Sequence, residues 1–151
     1  MNTILLIHCP NLNMLGARDA AHYGTLTLKA LEEKVRHEAE CHGYSVLAFQ
    51  SNHEGALIDW LQEKSPTAMG IIINPGALTH YSYALHDALV DANVPTVEVH
   101  LSDIHHREAW RSVSVIQGAC CTQISGKQEQ GYLEAVNYLV TYIKHNPSPK
   151  L

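Results

Sequence analysis

Hydrophobic positions along this chain fall into short unbroken runs separated by stretches with helical spacing. Thr3–Ile7 (TILLI), Ser45–Phe49, Ile71–Ile73 and Pro95–His100 each read as a strand, and Cys120–Ile124 as a fifth, more polar one. The first and third runs do not alternate, the pattern of strands buried on both faces of a parallel sheet. Between them apolar residues recur every three or four positions. Leu28, Leu31, Val35 and Ala39 follow a capping Thr27 and stop at Gly43. A helix from about Glu54 to Lys64 is expected to bury Leu57, Ile58 and Leu61. Ala84, Leu85, Ala88 and Leu89 form a third helical face. Tyr132, Val136, Leu139 and Ile143 form a fourth, with Ala135 and Val140 beside it.

Strand-then-helix units repeated along the chain predict right-handed crossovers and helices on both faces of one sheet. The expected architecture is a single α/β domain over residues 1–145, with a flavodoxin-like five-stranded parallel sheet in the order 2-1-3-4-5. A frayed tail is expected over 146–151. In such sheets ligands bind outside the carboxyl ends of the strands. Three exits there are unusually polar: His8–Gly24, Asn74–Ser82 and His100–Arg111. The first has no period and is longer than most loops in compact domains, which points to a functional segment.

Composition narrows the partners. The 151 residues carry a formal charge of −5, which argues against nucleic acid as the main partner. The run Ile4–Ile7 is too short to cross a membrane or to serve as a secretory core. Cys9, Cys41, Cys120 and Cys121 have no zinc spacing, and with no signal-peptide pattern they suggest a reduced, cytoplasmic protein.

The loops exclude some chemistries. CPNLNMLG after the first strand lacks the glycine spacing of a phosphate loop, and Asn74 ends the third strand where a phosphoacceptor would need Asp. Eleven histidines include His100, His105 and His106 near one another, yet no HExxH or CxxC pairing accompanies them. No lysine lies in the three exits to form a Schiff base. What remains is Asn13, Arg18, Tyr23, Asn74, His80, Ser82, His100, Ser102, Arg107 and Arg111, a set able to bind a carboxylate and hydroxyls and to move protons. His100 is suited to general-acid work near neutral pH. Tyr23 could act as a base only beside a cation, for which Arg18 is the candidate. Glu98 precedes His100 by two residues and so points to the same face of its strand. Each has a plainer alternative: Asn74-Pro75-Gly76 as only a tight turn, Arg18 and Tyr23 as ordinary loop polarity, His80 as a cap, and His100 as a satisfied strand-end histidine. The residues by themselves reach a metal-free α/β enzyme for a small polyhydroxylated acid.

The segments PNLNMLGARDAAHYG, FQSNHEG, INPGALTHYSYALHDAL and VEVHLSDIHHREAWR, with the late Gly131-Tyr132, resemble type II 3-dehydroquinate dehydratases in register from about residue 3 to 140. The resemblance implies loss of water from 3-dehydroquinate to give 3-dehydroshikimate, without cofactor or metal. It implies Tyr23 as base, with Arg18 favouring its phenolate. Asn13 would hold a water at the enolate, His100 would be the acid, and Glu98 would orient it. Asn74, His80, Asp87, Leu101 (through its backbone), Ser102 and Arg111 would bind substrate. The assembly implied is a homododecamer built from four trimers.

Several positions depart from that pattern. Cys9 stands for a usual Gly, Ala20 for Pro, His86 for Arg, Asp103 for Asn, and Gln128 for Gly. None removes a proton-transfer residue, so altered affinity or assembly is expected before lost chemistry. A relative that binds the ligand without efficient turnover, and a metal-dependent hydrolase built on the histidines, are the competing expectations.

Overall fold

The computed structural model describes residues 2–17 and 25–147. Its sheet has five parallel strands in the order β2-β1-β3-β4-β5, as the hydrophobic runs predict. These are β1 (Thr3–His8), β2 (Ser45–Gln50), β3 (Ala68–Asn74), β4 (Thr96–His100) and β5 (Thr122–Ser125). The helices are α1 (Leu28–Cys41), α2 (Glu54–Lys64), α3 (Tyr83–Ala92) and α4 (Glu129–His145). None of the described helices is long and apolar enough to cross a membrane.

Alternation along β1 and β3 splits the core in two. Ile4, Leu6 and Ile72 pack with Leu31 and Val35 of α1 and with Tyr132, Val136 and Leu139 of α4. Leu5, Ile7, Ile71 and Ile73 face the other way, onto Leu57 and Leu61 of α2 and Leu85 and Leu89 of α3. Both faces are therefore dry, which is why these strands read as continuous apolar runs. Gly70 lets α4 close on the sheet, since a Cβ there would stand 3.2 Å from Leu139 Cδ1. Truncating one of the fully buried side chains, Ile72→Ala for example, would cost about 2–5 kcal/mol.

Boundaries differ from expectation in ways that have causes. β1, β2 and β3 each run one residue further, bringing His8, Gln50 and Asn74 into the ladder, and β3 also begins three residues earlier than expected, at Ala68. β4 starts at Thr96 rather than Pro95, because Pro95 has no N–H to give, although its carbonyl accepts from Ile71 N at 2.8 Å. β5 starts at Thr122 rather than Cys120, because Cys120 closes a 3₁₀ turn by donating to Gln117 O. Thr27 caps α1 by accepting from Ala30 N at 3.2 Å. Ala84, expected in the core, is exposed; α3 buries Leu85, Ala88 and Leu89 alone.

Candidate active site

The carboxyl ends of β1, β3 and β4 surround a cavity of about 110 Å³. Asn74, His80, His100, Leu101, Ser102 and Arg111, all expected to bind substrate or act on it, line it together. Arg107, Ile104, Gly76 and the Pro10–Leu12 segment complete its walls.

The β3 wall is held by Asn74. Its side-chain oxygen accepts from Gly76 N at 3.0 Å, and its amide donates to the buried Tyr132 hydroxyl at 2.8 Å. Gly76 has φ +54°, and a Cβ there would meet Pro10 O at 3.1 Å, so glycine lets the β1 and β3 exits touch. Burial pushes the Tyr132 phenol well above its ordinary range, so this hydroxyl stays protonated.

His80 leaves the following turn with its tautomer fixed. Nδ1 sits 2.7 Å from Val113 O, which can only accept, so Nδ1 carries the hydrogen. Burial lowers the His80 pKa, keeping the ring neutral with Nε2 as its acceptor. Trp110 packs edge-on at 5.2 Å, and its face carries the Arg111 guanidinium 4.0 Å from the ring centre.

The β4 wall holds the densest chemistry. Glu98 and His100 are both buried, and His100 Nε2 lies 2.9 Å from Glu98 Oε1. Thr79 donates to the same oxygen, as does Ser114 Oγ at 2.8 Å, while Gln123 Nε2 donates to Oε2 at 2.9 Å. Burial alone would raise the Glu98 pKa. The His100 hydrogen bond and charge, with the Thr79 and Gln123 bonds, outweigh it and hold the group below its ordinary value. Glu98 is thus an ionised acceptor, so His100 Nε2 is the donor and Nδ1 is the nitrogen left to serve the cavity.

Other expected site residues fall elsewhere. Asn13 does not line the cavity, whereas Asn11, two residues earlier and likewise exposed, does, in a left-handed conformation with φ 75°. Asn11 N is fixed by Asn52 Oδ1 at 2.9 Å. Asp87 is exposed on α3, paired with His86 at 3.2 Å, and does not line this cavity. Arg18 and Tyr23 lie outside the described residues. Ser114 and Gln123 were not foreseen as site residues. Only the polarity of β5, where Gln123 stands in register with Glu98, hinted at the second. His105 bonds Gln123 and Ser112, and His106 bonds Asp103, so these histidines do not join His100; among the described residues no three His, Cys, Asp or Glu side chains gather as metal ligands.

A family model described as "Dehydroquinase class II" matches residues 2–140, which include every residue of the cavity wall. The chain belongs to the class II dehydroquinase family. It is 47% identical to the 3-dehydroquinate dehydratase of Bacillus mycoides, covering 95% of this chain and 99% of that one. It is 50% identical to the protein of that name from Roseiflexus castenholzii, covering 91% and 87%. The crystal structure of type II dehydroquinase from Butyrivibrio crossotus superposes with a TM-score of 0.88 at 41% identity, covering 91% of this chain and 97% of that one. The flavodoxin-like order of the sheet is that of the family's structures.

Proposed function

We propose that this chain removes water from 3-dehydroquinate to give 3-dehydroshikimate through an enolate, with Tyr23 as the base and His100 as the acid. The observation that carries the reading is the His100–Glu98 couple, buried on the wall of a cavity that Arg111 also lines. Arg111 would take the substrate carboxylate, while Ser102, Asn74 and the Leu101 backbone would meet its hydroxyls. His80, with its acceptor Nε2, would receive a substrate O–H.

In the first step the Tyr23 phenolate, stabilised by Arg18, takes the proton from the carbon beside the ketone. The electron pair becomes an enolate, stabilised by a water for which Asn11 now replaces Asn13 as the holder of choice. In the second step His100 Nδ1 gives its proton to the departing hydroxyl as the carbon–oxygen bond breaks. Glu98 holds the imidazolium in place. Solvent then carries the Tyr23 proton back toward His100. No step calls for a metal or a cofactor.

Asp87 can serve a substrate only from a neighbouring copy, because on its own subunit it faces away from the cavity. Tyr81, Tyr83 and Val90 are exposed large apolar side chains on and just before the same helix, which suits a subunit contact. A homododecamer of four trimers would bring such faces together, and light scattering would measure it. The four free cysteines suit a reducing, cytoplasmic setting.

Enone absorbance should rise when 3-dehydroquinate is added to chelator-treated protein, and Tyr23→Phe or Arg18→Ala should abolish it in a folded protein. Full activity in either variant would remove Tyr23 as the base. Thermal stabilisation by the substrate without turnover would identify a ligand-binding relative instead. Activity lost to chelation and restored by zinc would favour the hydrolase expectation.

A further inference from the structure

A chain of hydrogen bonds leads from the Glu98–His100 couple to the surface. Gln123 lies opposite Glu98 in the β4–β5 ladder, so both side chains rise from the same face of the sheet. Glu98 is an ionised acceptor and Gln123 must turn its NH₂ to it, at 2.9 Å. The Gln123 oxygen then points away, and it meets His105 Nε2 at 3.0 Å. On the other side of that ring, Nδ1 lies 3.1 Å from the carbonyl oxygen of Ser112. Both partners of His105 can only accept. A neutral imidazole has a single N–H, so only the doubly protonated ring satisfies both.

We propose that His105, acting through Gln123, is a positioning residue for the proton donor of the active site. The imidazolium polarises the Gln123 amide and strengthens the bond it gives to Glu98. That bond adds to those of His100 and Thr79 in holding Glu98 ionised, and it keeps Oε1 aimed at His100. When His105 loses a proton, it must release either Gln123 or Ser112. The exposed ring is thereby linked to a buried couple through one side-chain amide.

The charged groups around His105 come from each neighbouring element. Asp103 accepts from the His105 backbone N–H at 3.0 Å and also holds His106 on the same turn. The adjacent 3₁₀ turn carries Arg111, paired with Glu108, and Arg107 lies between the two turns. From the sheet the facing charge is Glu98, one amide away.

The inference rests on the proposed dehydration, and its test separates the two. His105→Ala, Gln123→Leu and the double variant form a cycle read on turnover of 3-dehydroquinate against pH and on Tm against pH. His105→Ala should move the acid limb of kcat upward by about half a pH unit, with KM within about twofold, since the Gln123 amide is no longer polarised toward Glu98. Gln123→Leu should lower kcat by about tenfold. In the Gln123→Leu background His105→Ala should change neither profile further. His105→Gln, which keeps a neutral N–H donor but no positive charge, should leave the acid limb where His105→Ala puts it. Additive shifts in the Tm profiles would overturn the relay whether or not the protein turns over this substrate. An unshifted kcat profile in His105→Ala would overturn it as well. No turnover by the wild-type protein, with non-additive Tm profiles, would overturn the dehydration reading and leave the relay supported.

Discussion

On the side of the sheet facing α2 and α3, β4 carries Glu98 into the interior with Thr79, Ser114, Gln123 and His100 all donating to it. On the side facing α1 and α4, β1 carries His8 to the same depth with far less around it. His8 is fully buried, and its Nε2 is 3.3 Å from Glu32 Oε1. Among the described residues neither ring nitrogen has an aligned hydrogen-bond partner. The two groups meet at close range without an aligned bond. The contact still matters to Glu32, whose pKa is lowered by His8 first, with Arg36 behind it, against partial burial. Tyr132 stands beside the ring, 6.3 Å between ring centres, and its hydroxyl accepts from Asn74 without bonding His8.

The difference shows what makes a buried polar group useful. Glu98 has a donor for each direction in which its charge needs one, so it can be kept ionised without water and can fix the tautomer of His100. An unmatched imidazole is a cost of about 1–3 kcal/mol with no chemistry gained at the cavity, which His8 does not line. Depth is the same; satisfaction separates a working group from a tolerated one.

Removing the satisfied group should therefore have the largest effect. Glu98→Ala strands three donors and His100, and should cost about 3–5 kcal/mol of stability by urea titration. In whatever fraction remains folded, turnover should fall about 10²–10³-fold, since the acid loses its orientation. A loss under 1 kcal/mol would mean that water replaces the carboxylate and that the cage is ordinary surface chemistry.

Acid titration sharpens the same contrast. The Glu98 carboxyl sits below its ordinary value of 4.5, so its contribution is complete above that pH and is lost as pH falls through the folded value. His80, lowered from 6.5, acts earlier: below 6.5 the unfolded chain takes up a proton that the folded ring resists. Stability should decline gently below pH 6.5 and more steeply below 4.5. Glu32, also lowered from 4.5, adds to the second stage, so Glu98→Ala should weaken that stage without removing it.

His8→Leu tests the other face. Replacing an unmatched ring by an apolar side chain of similar bulk should leave stability unchanged or raise it by about 1 kcal/mol, with turnover within about twofold. A large loss of stability would show that the Glu32 contact is worth more than its geometry suggests. The smallest effect belongs to Asp87→Asn. Stability should change by no more than about 0.5 kcal/mol, because the side chain is exposed, while KM should rise if a neighbouring copy uses it.

The sheet was legible because its strands are buried on both sides, so TILLI and GIII had no competing reading. The pairing of Glu98 with His100 was legible too, from the two-residue period of a strand. Features that depend on backbone turns were not. Asn13 and Asn11 are equally polar, and only the left-handed conformation of Asn11 selects which one faces the cavity. Ala84 sits at helical spacing with Ala88, but it lies on the first turn of α3, outside the buried stripe. Ser114 reaches Glu98 from an irregular segment with no period to read, where its Oγ also accepts from Ile116 N and Gln117 N. Asp87 was placed with the substrate ligands by resemblance, and its outward direction is a property of the helix face, which the motif alone does not give.

The central claim is a division of labour: the β4 couple donates the proton, and a separate group on the first loop removes one. It is tested most directly by following 3-dehydroquinate in D₂O with His100→Asn protein by NMR. Deuterium should still enter at the carbon beside the ketone while 3-dehydroshikimate formation falls at least about 100-fold, the effect of losing a general acid. Loss of exchange together with product would make His100 the base, and product formed at the wild-type rate would remove it from the reaction.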